Sequence, residues 1–199
     1  MSVHWDENRE PLGSALTLIH SRQTTSPKFL GDPGPDGAQI ESILSAAGAA
    51  PDHRHLTPWR LVIVPAEKRA LLAEAFAEAL VERDSEATEA QRREAREKAH
   101  RGPLLLAVVG RLGPALGDVH PHERLISAGC ALQNMLLTAH AMGFGAGVSS
   151  GRSLYSQRLR RFFRLADGEQ LLCFVTVGTA LRGKPAASRP TMADYTTTL

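Results

Sequence analysis

The chain has 199 residues, 43% of them hydrophobic, enough to bury one sizeable core but hardly two independent ones. Its 23 Lys and Arg nearly balance 21 Asp and Glu, so it has no broad positive field to hold nucleic acid. No apolar run approaches the roughly 18 residues a membrane span needs, and Asp6, Glu7 and Glu10 stand where a secretory leader wants a basic start. A single cytoplasmic domain over 1–199 is therefore expected.

In chain order, a first helix is expected over 12–21, followed by a Gly/Pro/Thr-rich loop. A second helix starts near Asp36, where Asp-x-x-Gln to Gln39 fits a capping pattern ahead of Ile40, Ile43 and Leu44. Residues 59–64 (WRLVIV), 104–109 (LLLAVV) and 171–177 (LLCFVTV) are short and rich in β-formers and read as buried strands, with a fourth at 144–148. Helical patterns cover Ala66–Arg83, 123–142 and a basic segment at 154–165, and the charged run 84–101 reads as one solvated helix. A sheet covered by helices follows. The arginines 158, 160, 161 and 164 of the basic segment are expected to be mostly solvated.

The segment 123–142 carries apolar groups around most of its circumference, among them Leu125, Ile126, Cys130, Leu132, Met135 and Leu136. A helix apolar all round must be buried on all sides. In a domain this small that is easier with a second copy of the chain on one face, although a central core helix in a monomer satisfies the same pattern. Cys130 and Cys173 lie in apolar surroundings without a CxxC, as suits buried reduced thiols.

The loop 50–59 joins helix to strand with two prolines, two histidines and a tryptophan, more chemistry than a connector needs. His53-x-His55 and His120-x-His122 could hold a metal, but no HExxH or comparable frame accompanies them, and no metal ligand is assigned. No Gly-x-Ser-x-Gly elbow supports a hydrolase. Gly143, Gly145 and Gly147 follow a helix instead of a strand, so Gly143 reads as a helix C-cap and not as part of a dinucleotide fingerprint.

Five features occur together: Ile19-His20-Ser21-Arg22-Gln23-Thr24 ending the first helix, Ala-Pro-Asp-His before Pro-Trp in loop 50–59, and Ser127-Ala128-Gly129-Cys130-Ala131 in the buried helix. Gly143-Phe144-Gly145 and the late strand 174–178 with Thr179 complete the set. Their order and spacing over nearly the whole chain resemble the nitroreductase family, in its small single-domain subgroup. The resemblance implies an α+β fold with a mixed, largely antiparallel sheet flanked by helices, a homodimer, and one FMN in each of two interface clefts. It further implies hydride transfer from NADH or NADPH to a small electron-poor acceptor, a nitroaromatic or a quinone, by a ping-pong mechanism without a catalytic side chain.

Carried over position by position, the resemblance makes Arg22 the phosphate anchor, with Gln23 and Thr24 beside it. Arg189 is the second phosphate cation, with Lys184 as a competitor. His53 and His55 approach the flavin ring from the partner subunit, and Val148, Ser149 and Ser150 run along that ring. The pattern departs at Ala49 and Ser149, where the closer subgroup has arginines, and at His55 and Thr57, where many relatives have Asn and Gln. Two cations near the flavin are missing, which lowers its potential or weakens its binding unless His53, His55 or Lys28 substitutes. The rival readings are a non-enzymatic flavin-binding sensor module and a His-ligated metal enzyme.

Overall fold

The structure is a computed structural model that describes residues 13–114, 118–183 and 188–199. Lys184 lies outside the described residues. The elements in order are α1 (Gly13–Ser21), β1 (Leu30–Gly31), α2 (Gly37–Ser45), β2 (Trp59–Ile63), α3 (Ala66–Arg83), α4 (Glu89–Glu97), β3 (Leu104–Arg111), α5 (Pro121–Ala141), β4 (Gly145–Ser149), α6 (Gln157–Phe162) and β5 (Glu169–Ala180).

The named strands pair antiparallel in the order β1, β5, β3, β2, and β4 lies against β5 on the side away from β3. One isolated parallel bridge, Thr24 to Ala146, adds the segment after α1 to the outer side of β4. The α+β architecture, with a largely antiparallel sheet between helices, agrees with expectation. β3 is buried along nearly its whole length because both neighbours and both faces cover it, which explains its unbroken apolar run.

Alternation along β3 divides the core. Leu104, Leu106 and Val108 face α5 and α2 with Met135, Ile43 and Val175, whereas Leu105, Ala107 and Val109 face α3 with Leu72, Phe76 and Phe174. A bulge in β5 leaves Leu172 between the pairs Val108–Cys173 and Val109–Leu171, so Leu171 and Phe174 share one face although three positions apart.

Local signals set most helix ends. Asp36 and Gln39 form the expected capping box on α2, at 2.8 and 2.9 Å. Gly143, at φ +84°, ends α5 in a Schellman turn: Phe144 N–H donates to Ala139 O and Gly143 N–H to His140 O, both at 2.9 Å. Three expectations need correction. The run 84–101 is not one helix, because Asp84 closes α3 and the capping box of Thr88 with Gln91 starts α4 afresh, ending in a 3-10 turn at Lys98–His100. The segment 154–165 shrinks to α6 after a 3-10 turn at Arg152–Tyr155, because Ser156 caps the helix through Leu159 N–H. Its Arg160 is not merely solvated, since it donates to Glu169 O at 3.1 Å and Ala166 O at 2.9 Å.

α5 starts at Pro121, capped by His120, whose ring Nδ1 accepts from His122 N–H. The helix is not covered on all sides. Met135, Leu136 and Ala139 are buried, whereas Ile126 is 67% exposed and Leu125 39%. Gly129 and Gln133 are exposed on the same face, with Cys130 and Leu137 half-buried beside them. Cys130 is thus less buried than expected, while burial pushes the Cys173 thiol up to about 11. No described helix is long and apolar enough to cross a membrane.

Candidate functional site

The segment Arg22-Gln23-Thr24 leaves α1 and lies along β4. Besides the Thr24 bridge to Ala146, Thr25 N–H donates to Ala146 O at 2.9 Å. A Cβ on Gly147 would collide with the Thr25 carbonyl oxygen, so glycine there permits the close approach. Because the two segments run parallel, Arg22 lies at one end of this strip and Val148, Ser149 and Ser150 at the other, about 16 Å apart at ~3.3 Å per residue.

Arg189 joins the Arg22 end. Its Nη2 donates to His20 O at 3.2 Å and Arg22 O at 2.5 Å, satisfying carbonyls at the end of α1 that the helix leaves open. The structure therefore brings the Arg189 guanidinium to the Arg22 backbone, and neither guanidinium is paired with a carboxylate among the described residues. On the same segment, Gln23 Oε1 is buried with no hydrogen-bond partner among the described residues. A buried orphan acceptor costs about 1–3 kcal/mol, and it is relieved by a ligand that brings a donor. Ser21 Oγ and His140 Nε2, 2.8 Å apart, tie this end of the strip to the last turn of α5.

His53 and His55 lie elsewhere. Their loop is tight: Asp52 Oδ2 accepts Thr57 N–H at 2.6 Å, Asp52 O accepts His55 N–H at 3.1 Å, and Arg54, His55 and Thr57 all have positive φ. Asp52 is thus the turn-former of the loop, a role the sequence reading missed. Such backbone conformations are held only where the surroundings dictate them, and they gather at functional sites. His53 Nδ1 is 3.0 Å from Glu123 Oε2 in the first turn of α5. The His53 hydrogen bond, together with the His120 backbone, holds the Glu123 carboxyl below the usual carboxylate range. At ~1.5 Å of rise per residue, Glu123 and His140 stand ~25 Å apart on α5. One chain therefore does not bring the histidines to Arg22.

Among the described residues no three of His, Cys, Asp or Glu gather so as to hold a metal ion. Lys28, considered as a replacement cation, sits over the Phe29 ring, its Nζ 5.0 Å from the centroid. Two cations not singled out from sequence, Lys98 and Arg101, line a cavity that Ser149 and Ser150 also line. They fell within the run read as a solvated helix, and nothing local marks them.

The sequence matches the nitroreductase family over residues 19–179. The chain belongs to the nitroreductase family. A Haemophilus influenzae protein named as an NAD(P)H nitroreductase is 34% identical over 167 residues, 84% of this chain and 89% of its own. The Escherichia coli K12 protein YdjA, named likewise, is 30% identical over 165 residues, 83% and 87% of the two chains. The fold is also that of a nitroreductase-like protein from Bacillus cereus, with a TM-score of 0.78 at 18% identity over 100% of this chain and 98% of the other. The FMN-dependent nitroreductase NfnB of Mycobacterium smegmatis, solved with NADPH, gives a TM-score of 0.71 at 15% identity over 94% and 98%.

Proposed function

We propose that this nitroreductase-family chain is a cytoplasmic, homodimeric FMN-dependent oxidoreductase that passes hydride from NADH or NADPH to a nitroaromatic or quinone. The observation that carries this reading is the orphaned Gln23 Oε1, on the segment between Arg22 and the Thr24 bridge to β4, with Arg189 held at the Arg22 carbonyl and neither arginine neutralised by a carboxylate among the described residues. A phosphate suits paired guanidinium groups, a polyhydroxyl chain supplies the donor that Gln23 lacks, and the strip is long enough for a ring carried on such a chain. Arg22 and Arg189 then hold the phosphate, Gln23 and Thr24 face the ribityl chain, and Val148, Ser149 and Ser150 line the ring. When bound, FMN supplies a two-electron relay between nicotinamide and acceptor.

The dimer follows from the separation along α5. An isologous pair in which α5 runs antiparallel to its partner covers the Ile126 face and carries the start of one helix to the end of the other. His53 and His55 of the partner subunit then close over the ring of the flavin whose phosphate Arg22 holds. No side chain is assigned acid or base chemistry, since hydride transfer needs positioning above all. One cleft serves both nicotinamide and acceptor, so they take turns.

The names of the relatives and the cofactor of the Mycobacterium smegmatis neighbour support the same chemistry. The test is an absorption spectrum of the purified protein, with the cofactor extracted and NADPH oxidation followed against menadione. A yellow protein releasing FMN and turning over menadione is expected. A protein that takes up no FMN overturns the reading, and one that holds FMN without oxidising reduced nicotinamide is a sensor instead.

A further inference from the structure

A cavity of about 170 Å³ lies on the α3 side of the sheet. Phe76, Leu105 and Phe174 form its apolar wall, and Lys98, Arg101 and Ser149 stand among its polar lining groups. No carboxylate lines it, and neither Lys98 nor Arg101 has an ion-pair or hydrogen-bond partner among the described residues. Glu94 lies in an adjoining cleft that Lys98 also borders, together with Arg83 and Arg152, so the surroundings stay positive.

The cations are held in place by a buried scaffold. Ala95 and Ala99 are buried beneath the turn that carries Lys98. Arg69, only 6% exposed, donates to Ala99 O at 2.8 Å, Gly102 O at 3.4 Å and Pro103 O at 3.0 Å, bracing the backbone on both sides of Arg101. Among the described residues Arg69 pairs with carbonyls and with no carboxylate, and it adds to the positive potential behind the cavity.

We propose that this cavity binds a small organic carboxylate with an apolar body, its acid group held by Arg101 and Lys98 and its body against Phe76, Leu105 and Phe174. Size decides the class: a cavity of about 150 Å³ with an apolar lining holds one benzene ring, so the space takes a single ring or branched chain. Charge decides the head group, because two cations without a counter-ion favour an anion and a guanidinium matches the planar carboxylate. A bare phosphate leaves the apolar wall without a partner. Ser149 pairs with Phe174, which faces α3, so a ligand in the cavity meets Ser149 from that face, and its binding does not require flavin.

Titration calorimetry of the full-length protein as purified, with benzoate as the probe, tests the site. One benzoate per chain is expected. Arg101→Gln and Lys98→Gln are each expected to weaken it about tenfold, the loss of one charge-assisted contact. Neutral benzamide is expected to bind at least tenfold more weakly, and inorganic phosphate more weakly than benzoate. Thermal melting checks that these solvent-reaching substitutions leave the fold intact, and the flavin absorbance of each variant is read separately. Absence of benzoate binding, or binding unchanged in both variants, overturns the proposal. Phosphate binding as tight as benzoate overturns the apolar-body assignment and with it the ligand class.

Discussion

His53 Nδ1 sits 3.0 Å from Glu123 Oε2, which fastens the histidine loop to the first turn of α5 while Arg22 lies beyond its last turn. Under the proposed function the site is complete only when two chains cross. Ile126→Glu places a charge at the centre of the proposed contact, where burying it without a partner costs several kcal/mol. The native protein is expected to sediment as a dimer at low micromolar concentration. The variant is expected to sediment as a monomer and to lose flavin. Because Ile126 is 67% exposed in the single chain, the monomer should still fold. A dimeric Ile126→Glu protein with full flavin content contradicts this arrangement.

Under the proposed function, removing the Arg22 guanidinium takes a charged partner from the phosphate, on the order of 2–3 kcal/mol, or about 30- to 150-fold in FMN affinity. Arg22→Ala is expected to lose flavin on dilution and gel filtration. Arg189→Ala should do so too and, unlike Arg22→Ala, should also loosen α1, since Arg189 satisfies His20 O and Arg22 O. Equilibrium dialysis against FMN and hydrogen exchange at α1 separate the two effects. Unchanged affinity in Arg22→Ala rejects the anchor.

The proposed single cleft, used in turn by donor and acceptor, implies ping-pong kinetics. Double-reciprocal plots of NADPH against menadione should give parallel lines, and intersecting lines count against alternating occupancy. His53→Ala is expected to slow turnover several-fold without abolishing it, because the ring orients and is not a proton donor. A loss of four orders of magnitude would assign His53 a chemical role.

Stability should fall in acid. Arg60 Nε and Nη2 each donate to the Glu169 carboxylate at 2.8 Å, and this pairing lowers the Glu169 pKa and raises that of Arg60. A carboxylate with a depressed folded-state pKa contributes stability that is present above its unfolded value. That contribution is lost as pH falls through the folded value, below the ordinary carboxylate range. Glu169→Gln is expected to cost about 1.5–3 kcal/mol near neutral pH and to flatten the acid limb of a melting-temperature profile. An unchanged acid limb would show that the pair does not govern it.

Much of the local structure is legible in the sequence. α3 runs over Ala66–Arg83 as its apolar period indicates, Asp36 and Gln39 cap α2, and Gly143 ends α5. The Thr88 and Gln91 box is equally local but is masked by the charge of the run around it. The candidate site was legible only as far as family pattern placed it, segment by segment.

The sequence by itself determined the strands and most of the helices and caps, because these depend on partners within about four residues and on periods of 3.6 and 2. It also determined family membership, through motifs whose order survives without knowledge of their contacts. The tertiary structure decided what meets across the chain: Arg189 with Arg22, Arg60 with Glu169, and Lys98 and Arg101 with Ser149. It also decided what stays apart, above all His53 and Arg22 at opposite ends of α5. Those relationships follow from strand register, the bulge at Leu172 and the length of one helix, which together sum the positions of many residues and are written in no single segment.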